Sequence, residues 1–88
     1  MTISIDLDEQ VNAIRSRADF VSFVHVLRQQ LGDHPDWWEN ADLESFLGAL
    51  SRWVEDMDGY YLNTAQPVPK QPSWKVLGDI LMAAATYE

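Results

Sequence analysis

The chain has no cysteine among its 88 residues, which excludes a disulfide framework and a thiolate metal site. Basic residues are few, because six Lys and Arg stand against 14 Asp and Glu and leave a net charge of −8. The longest apolar run, residues 80–85, is far shorter than the roughly 20 residues of a membrane-spanning helix. The acidic start, MTISIDLDE, lacks the cationic and apolar segments of a signal peptide. We therefore expect a soluble cytoplasmic protein.

Length and composition predict a single folded domain, residues 1–88. A domain of this size buries only about 60% of the surface that its unfolded chain exposes. The chain is therefore too short to form a second hydrophobic core. Hydrophobic residues make up 47% and charged residues 23% of the chain, which is ordinary for a globular protein and argues against disorder.

The negative charge is concentrated in one third of the chain. Residues 33–58 contain eight acids and one arginine, which gives −7 of the total of −8. This field repels nucleic-acid phosphates and anionic lipid, so we expect no nucleic-acid and no membrane partner. A basic protein partner is favoured instead. The alternative is that the acidic surface serves solubility alone.

Apolar residues at helical spacing predict a mainly all-α fold with three main helices. The clearest helix covers residues 40–59, with Asn40 as its N-cap and Gly59 as its left-handed terminator. Its expected core face consists of Leu43, Phe46, Leu47, Leu50, Trp53, Val54 and Met57. A connection of about fourteen residues, GYYLNTAQPVPKQP, follows as a proline-rich crossover loop.

Two further helices and one short element complete the predicted fold. A helix over 17–31 is framed by Ser16 as N-cap and Gly32 as terminator, although the β-branched run FVSFVHVL also fits a buried strand. A last helix over 74–87 has an apolar arc too wide for one side, so it lies centrally in the core or against another subunit. At the N-terminus we expect a short helix at 8–14, with a short strand near residues 3–7 as the alternative.

The segment HPDWWEN, residues 34–40, raises the question of function. The triplet His34-Pro35-Asp36 resembles the signature of J-domain co-chaperones, but the preceding helix offers only Arg28 where that family has a basic surface. His34, Asp36 and Glu39 lack the ligand spacing of a metal site, and His25 is expected to be a half-buried core histidine. The chain has no Gly-rich phosphate loop, no cysteine nucleophile and no framed serine. We expect neither enzymatic activity nor a cofactor.

Two adjacent aromatic pairs, Trp37-Trp38 and Tyr60-Tyr61, are expected to place one ring in the core and one outside. Alternating side chains point to opposite sides, and an exposed aromatic ring acts as a binding anchor. The predicted partner-binding residues are Asp36, Trp37, Trp38, Glu39, Asp42, Glu44, Glu55, Asp56, Asp58, Tyr60 and Tyr61.

Three of those acids are expected to crowd the negative end of the helix over 40–59. There each of Glu55, Asp56 and Asp58 destabilises the helix by about 0.3 to 1 kcal/mol. Either Lys70 or Lys75 neutralises them within the fold, or a cation-bearing partner does so on binding.

The motifs WENADLESFLGALSRWVEDMDGYY and PVPKQPSWKVLGDILMAAATYE are similar to those of a family of small bacterial proteins of unknown function, over about residues 16–88. A shorter stretch, residues 16–55, resembles barstar, the acidic inhibitor of a basic ribonuclease. That resemblance implies an inhibitory face on Trp37, Trp38, Glu39, Asn40, Asp42 and the segment 53–55. The second inserted aspartate of barstar falls on Gly48, and a proline-rich loop and an Ala-rich helix replace its later strands.

We predict a non-enzymatic protein-binding module. Its sharpest form is an immunity protein that neutralises a basic toxin, most simply a nuclease, by occluding the cationic cleft. The alternatives are a structural or regulatory homodimer built on helix 74–87, a J-domain-like co-chaperone, and an enzyme that depends on His34.

Overall fold

The computed structural model describes residues 7–87, which form four α-helices and one 3-10 turn. The helices are α1 (Leu7–Asn12), α2 (Arg17–Asp33), α3 (Leu43–Asn63) and α4 (Trp74–Thr86), and the 3-10 turn Pro35–Trp37 links α2 to α3. Residues 7–87 contain no β-strand, which confirms the all-α prediction and the helix at 17–31. The alternative strand near residues 3–7 begins outside the described residues. No helix within this range is long and apolar enough to cross a bilayer.

α4 lies at the centre of the fold. It packs against α1, α2 and α3, whereas α2 and α3 make little direct contact with each other. Gly78 lets α1 and the residues just after it approach closely, because a Cβ at this position would lie 3.0 Å from Cγ2 of Val11 and 2.6 Å from Cδ1 of Ile14. The wide apolar arc of α4 is therefore explained by three surrounding helices, which is the first of the two alternatives.

Each long helix begins at a side chain that caps its first turn. The Ser16 hydroxyl accepts a hydrogen bond from the Asp19 amide at 3.1 Å, and the Ser73 hydroxyl accepts one from the Val76 amide at 3.1 Å. Both starts agree with the sequence prediction. The prediction for α3 was wrong, because Asp42 caps this helix by accepting from the Ser45 amide at 2.8 Å.

The predicted stops at Gly32 and Gly59 were also wrong. Both glycines lie inside helices, and no glycine among the described residues has a positive φ. α3 continues to Asn63 because the extra turn buries Tyr61 against α4. The crossover to α4 is consequently shorter than expected and covers residues 64–73.

α3 turns only part of its predicted core face inward, because Trp53 is buried and Phe46, Leu50 and Met57 are half-buried. Ala49, Trp53 and Tyr61 are buried, whereas Leu43, Leu47 and Val54 are exposed. The helix packs mainly on α4, so only a narrow stripe is covered. His25 is exposed as well, in contrast to the predicted core position.

Candidate functional site

The predicted acidic residues lie along the 3-10 turn and α3, and most face solvent. Asp36, Glu39 and Asp42 are exposed before the first turn of α3. On α3 itself, Glu44, Glu55 and Asp58 are exposed, and their spacing of i, i+11 and i+14 places them on one outward stripe.

Asp56 lies on another side of α3, where its carboxylate accepts a 2.6 Å hydrogen bond from the Tyr87 hydroxyl. This bond raises the pKa of Tyr87. Because α3 extends to Asn63, the acids at 55–58 precede its last turn, and the predicted cost at the helix dipole does not apply. Among the described residues no ion pair joins them to Lys70 or Lys75. Both of the expected internal partners were therefore wrong.

An apolar groove separates α2 from α3 and has a volume of about 380 Å³. We call it the apolar groove, and its apolar lining is Val24, Leu27, Leu31, Trp38, Leu43, Phe46 and Leu81. Arg28 lines it from α2 and Asp42 lines it from the start of α3. The rings of Trp38 and Phe46 lie 6.2 Å apart, and the buried indole Nε1 of Trp38 has no hydrogen-bond partner within the part of the chain that the structure describes. The groove exists because both helices lean on α4 and leave a gap between them.

A second cavity, of about 560 Å³, lies between α1, α3 and α4. We call it the aromatic pocket because Trp37, Trp53 and Tyr60 line it, together with the carboxylates Asp8 and Asp79. The rings of Trp53 and Tyr60 are 5.5 Å apart. Trp53 is buried, whereas Trp37 is 40% and Tyr60 is 38% exposed.

The Asp79 carboxylate is the buried acid of this pocket, with only 3% of the residue exposed. The Tyr61 hydroxyl donates to its Oδ2 at 2.6 Å, and the Lys75 ammonium approaches the same oxygen at 3.0 Å. Burial, and then the bond to Asp79, raise the pKa of Tyr61 well above its usual range. No group among the described residues donates to Oδ1.

Asn40 has a structural task at the end of α4. Its side-chain amide donates to the carbonyl of Ala84 at 3.0 Å and to that of Tyr87 at 2.8 Å, and its backbone amide donates to Ala85 at 3.0 Å. At the end of a helix the last carbonyl groups accept no hydrogen bond from a following turn. Asn40 donates to these carbonyls, so it caps the C-terminus of α4 and not the N-terminus of α3.

Each aromatic pair is split by the fold. Trp37 faces the aromatic pocket and Trp38 the apolar groove, and their rings meet edge to face at 5.8 Å. Tyr60 lines the aromatic pocket, whereas Tyr61 is buried beneath it. The sequence prediction placed one ring of each pair outside but did not say which.

Sequence reasoning missed Asp8 and Asp79 as site residues, whereas the resemblance to barstar had included Trp53 in the implied binding face. One signal for Asp79 was present, namely an acid within an apolar arc and one turn after Lys75. His34 is exposed, and no group of three His, Cys, Asp or Glu residues in the described range could hold a metal ion.

The chain was compared with protein-family models, curated proteins and solved structures. No curated protein and no solved structure matches the chain. The likeness to barstar therefore stays a prediction. Residues 16–88, which include α2, α3, α4 and the 3-10 turn, match a family model described as a family of unknown function, DUF7660. The match covers most of the chain, and the protein belongs to this family.

Proposed function

We propose that the protein is a non-enzymatic binding module that holds an amphipathic helix of a basic partner protein in the apolar groove. The observation that carries the proposal is the apolar lining of the apolar groove beside the acidic helix α3. Helix-in-groove recognition requires two walls and an apolar floor, which α2, α3 and α4 provide through Val24, Leu43 and Leu81.

The apolar surface extends beyond the lining of the groove. Two more exposed apolar side chains lie one helical turn from the lining, Val21 before Val24 on α2 and Leu47 after Leu43 on α3. A contiguous exposed apolar patch on a monomeric protein often marks a surface that a partner covers. Leu43 is 72% exposed, so the groove has one wall that binding would bury.

The charge around the groove supports a basic partner. Asp42 lines the α3 wall, and Glu44, Glu55 and Asp58 lie on the outward face of the same helix. The α2 wall carries Arg28 instead. A bound helix that places Lys or Arg on the flank nearest α3 meets opposite charge there, which favours rapid association at low salt.

A homodimer built on helix 74–87 would need an exposed apolar surface on that helix, and little such surface is exposed. α1, α2 and α3 cover most of helix 74–87, and Trp74 and Leu77 are its exposed large apolar residues. The net charge of −8 on each copy would also make the two copies of a homodimer repel each other. We expect a monomer in sedimentation equilibrium at 150 mM salt. A dimer that Leu77→Glu dissociates would favour the rival function.

A synthetic helical peptide tests the proposal directly. The peptide has Leu at positions i, i+3, i+4 and i+7 with Lys along one flank, and a second peptide carries Glu in place of every Lys. We expect only the Lys peptide to bind, with affinity that falls as salt rises.

The variants Leu43→Ser and Leu62→Ser form a matched pair on α3. Both leucines are exposed, at 72% and 68%, but only Leu43 lines the groove. Burying one leucine contributes about 1.5 to 3 kcal/mol, so Leu43→Ser should weaken the peptide at least about tenfold and Leu62→Ser should not. If the two variants weaken peptide binding equally, the apolar groove is not the binding site and the proposal is refuted.

The finer proposal is an immunity protein that occludes the cationic cleft of a toxin, a nuclease being the simplest case. Its support is the excess of acids over 33–58 together with the groove beside them. Cells that express a basic toxin domain encoded beside this gene should grow again when this protein is co-expressed. The variants Leu43→Ser and Glu44→Lys should each abolish this protection from the toxin. Protection that both variants leave intact would refute the finer proposal.

A further inference from the structure

We infer that the aromatic pocket binds a single organic cation, the guanidinium or ammonium head of an arginine or lysine side chain. The inference deepens the proposed function and rests on it for the source of that side chain, which is the basic partner. The cation chemistry itself rests only on the pocket. It differs from the apolar groove in location and in lining, because the Trp37-Trp38 pair separates the two sites.

The aromatic lining provides faces that attract a cation. Trp37, Trp53 and Tyr60 contribute rings from the 3-10 turn and from two successive turns of α3. A cation within about 6 Å of a ring centroid is attracted by the ring quadrupole, and Trp is the strongest of the aromatic residues. Trp53 is buried, so less water screens this attraction at its ring.

The acids of the pocket select positive charge over neutral or negative ligands. Asp8 is exposed at one side, and Asp79 lies inside with 3% exposure. Within residues 7–87 the two donors to Asp79 both bind Oδ2, so Oδ1 can accept a hydrogen bond from a ligand. An anion would face two carboxylates, and an apolar ligand would cover Oδ1 without offering it a donor. No basic side chain of the described residues lines the pocket.

The fold already uses this chemistry on the opposite side of Asp79. The Lys75 ammonium lies 5.9 Å from the centroid of the Tyr61 ring while it pairs with Asp79 at 3.0 Å. The aromatic pocket combines aromatic rings with this same carboxylate, which pairs with Lys75 through Oδ2, and no Lys or Arg side chain of residues 7–87 lines the pocket itself. A cavity of about 560 Å³ has room for a long side chain together with its alkyl stem.

Nuclear magnetic resonance of the indole N–H groups gives a direct test on the full chain. The probes are N-acetyl-L-arginine amide and N-acetyl-L-lysine amide, with N-acetyl-L-citrulline amide as a neutral analogue of the arginine probe. We expect the cations to shift the Nε1–H signals of Trp37 and Trp53 with a Kd on the order of 1 mM, while Trp74 stays unchanged. Equal shifts from the citrulline probe, or shifts at Trp74 as large as those at Trp53, would overturn the inference.

Tyr60 provides the matched pair of variants, since it is partly exposed and its replacement leaves the core intact. Tyr60→Phe keeps the ring and should keep the affinity within about twofold, whereas Tyr60→Leu removes the ring and should weaken the arginine probe roughly 3- to 10-fold. Asp8→Asn should weaken it as well. If Phe and Leu at this position have equal effects, cation–π attraction does not operate there.

Choline separates the two sources of the cation. If the pocket serves a partner's side chain, the arginine or lysine probe binds at least as tightly as choline. Choline binding tenfold more tightly would assign the pocket to a free small molecule and overturn the source proposed here. The Lys-flanked peptide used for the apolar groove keeps the two proposals apart: probe binding without peptide binding refutes the proposed function alone, and the reverse refutes the pocket alone.

Discussion

Replacing Tyr61 with phenylalanine removes one hydroxyl from the buried contact between α3 and α4. The hydroxyl donates at 2.6 Å to Oδ2 of Asp79, and both residues are nearly inaccessible to water. The phenylalanine ring keeps the packing against Trp53 and Tyr60, whose centroids lie at 6.2 Å and 5.0 Å. The variant therefore isolates the hydrogen bond, and Lys75 remains as the other partner of Asp79.

A hydrogen bond to a charged acceptor contributes about 1.5 to 3 kcal/mol, and we expect Tyr61→Phe to lower the free energy of unfolding by about 2 kcal/mol. In a domain of this size each kcal/mol changes Tm by roughly 4–8 °C, so the Tm should fall by about 8–16 °C. Urea and thermal unfolding followed by circular dichroism at pH 7 measure both quantities. Tyr60→Phe is the control, because its hydroxyl has no hydrogen-bond partner among the described residues, and we expect a change within about 0.5 kcal/mol.

The pH dependence gives an independent check on the same bond. Burial and Asp79 raise the pKa of Tyr61 in the folded state, while the unfolded chain keeps a pKa near 10. The unfolded state therefore loses this proton first, so the stabilisation is complete below about pH 10 and declines as the pH rises above it. The stability difference between the wild type and Tyr61→Phe should narrow above pH 10. A difference that stays constant up to pH 11, or equal effects of Tyr61→Phe and Tyr60→Phe at pH 7, would refute the reasoning.

Variants at three further positions test the end of α3, the contact of α1 with α4 and the cap at the end of α4. Gly59→Ala should raise the free energy of unfolding by about 0.5–1 kcal/mol, because Gly59 is helical and a Cβ there meets no atom within 4 Å; a loss of stability would mean that α3 ends at this residue. Gly78→Ala should instead lower it by about 1–3 kcal/mol through the clash with Ile14, measured in the same urea titrations. Asn40→Ala should lower it by about 1–2 kcal/mol and speed hydrogen exchange in the last turn of α4, and Asn40→Asp, which cannot donate, should match it. Unchanged exchange in both Asn40 variants would exclude the proposed cap.

The boundaries that were correct in the sequence prediction depend on local chemistry. Ser16 and Ser73 cap helices because a hydroxyl reaches an amide three residues ahead, and neighbouring residues are enough to form that contact. Gly59 misled the prediction because glycine permits a left-handed stop without requiring one. The burial of Tyr61 by α4, a distant segment, decided that the helix continues.

Three residues of the predicted core face of α3, Leu43, Leu47 and Val54, proved exposed for a related reason. Hydrophobic spacing ranks Leu43 and Leu47 above Ala49, but the close approach of α4 favours the small side chain at the contact and leaves the leucines in water. The exposed wall of the apolar groove is a consequence of this choice. No count of apolar positions along one helix predicts it.

The sequence by itself determined the all-α fold, two of the three long-helix starts and the acidic charge of residues 33–58, since propensity, capping and charge belong to the residues themselves. Only the tertiary structure decided that Trp37, Tyr60 and Asp79 meet at one cavity. These residues come from separate segments, and the packing of α3 on α4 brings them together. The physical reason is that a binding site is a property of distances between elements, which depend on how whole helices pack.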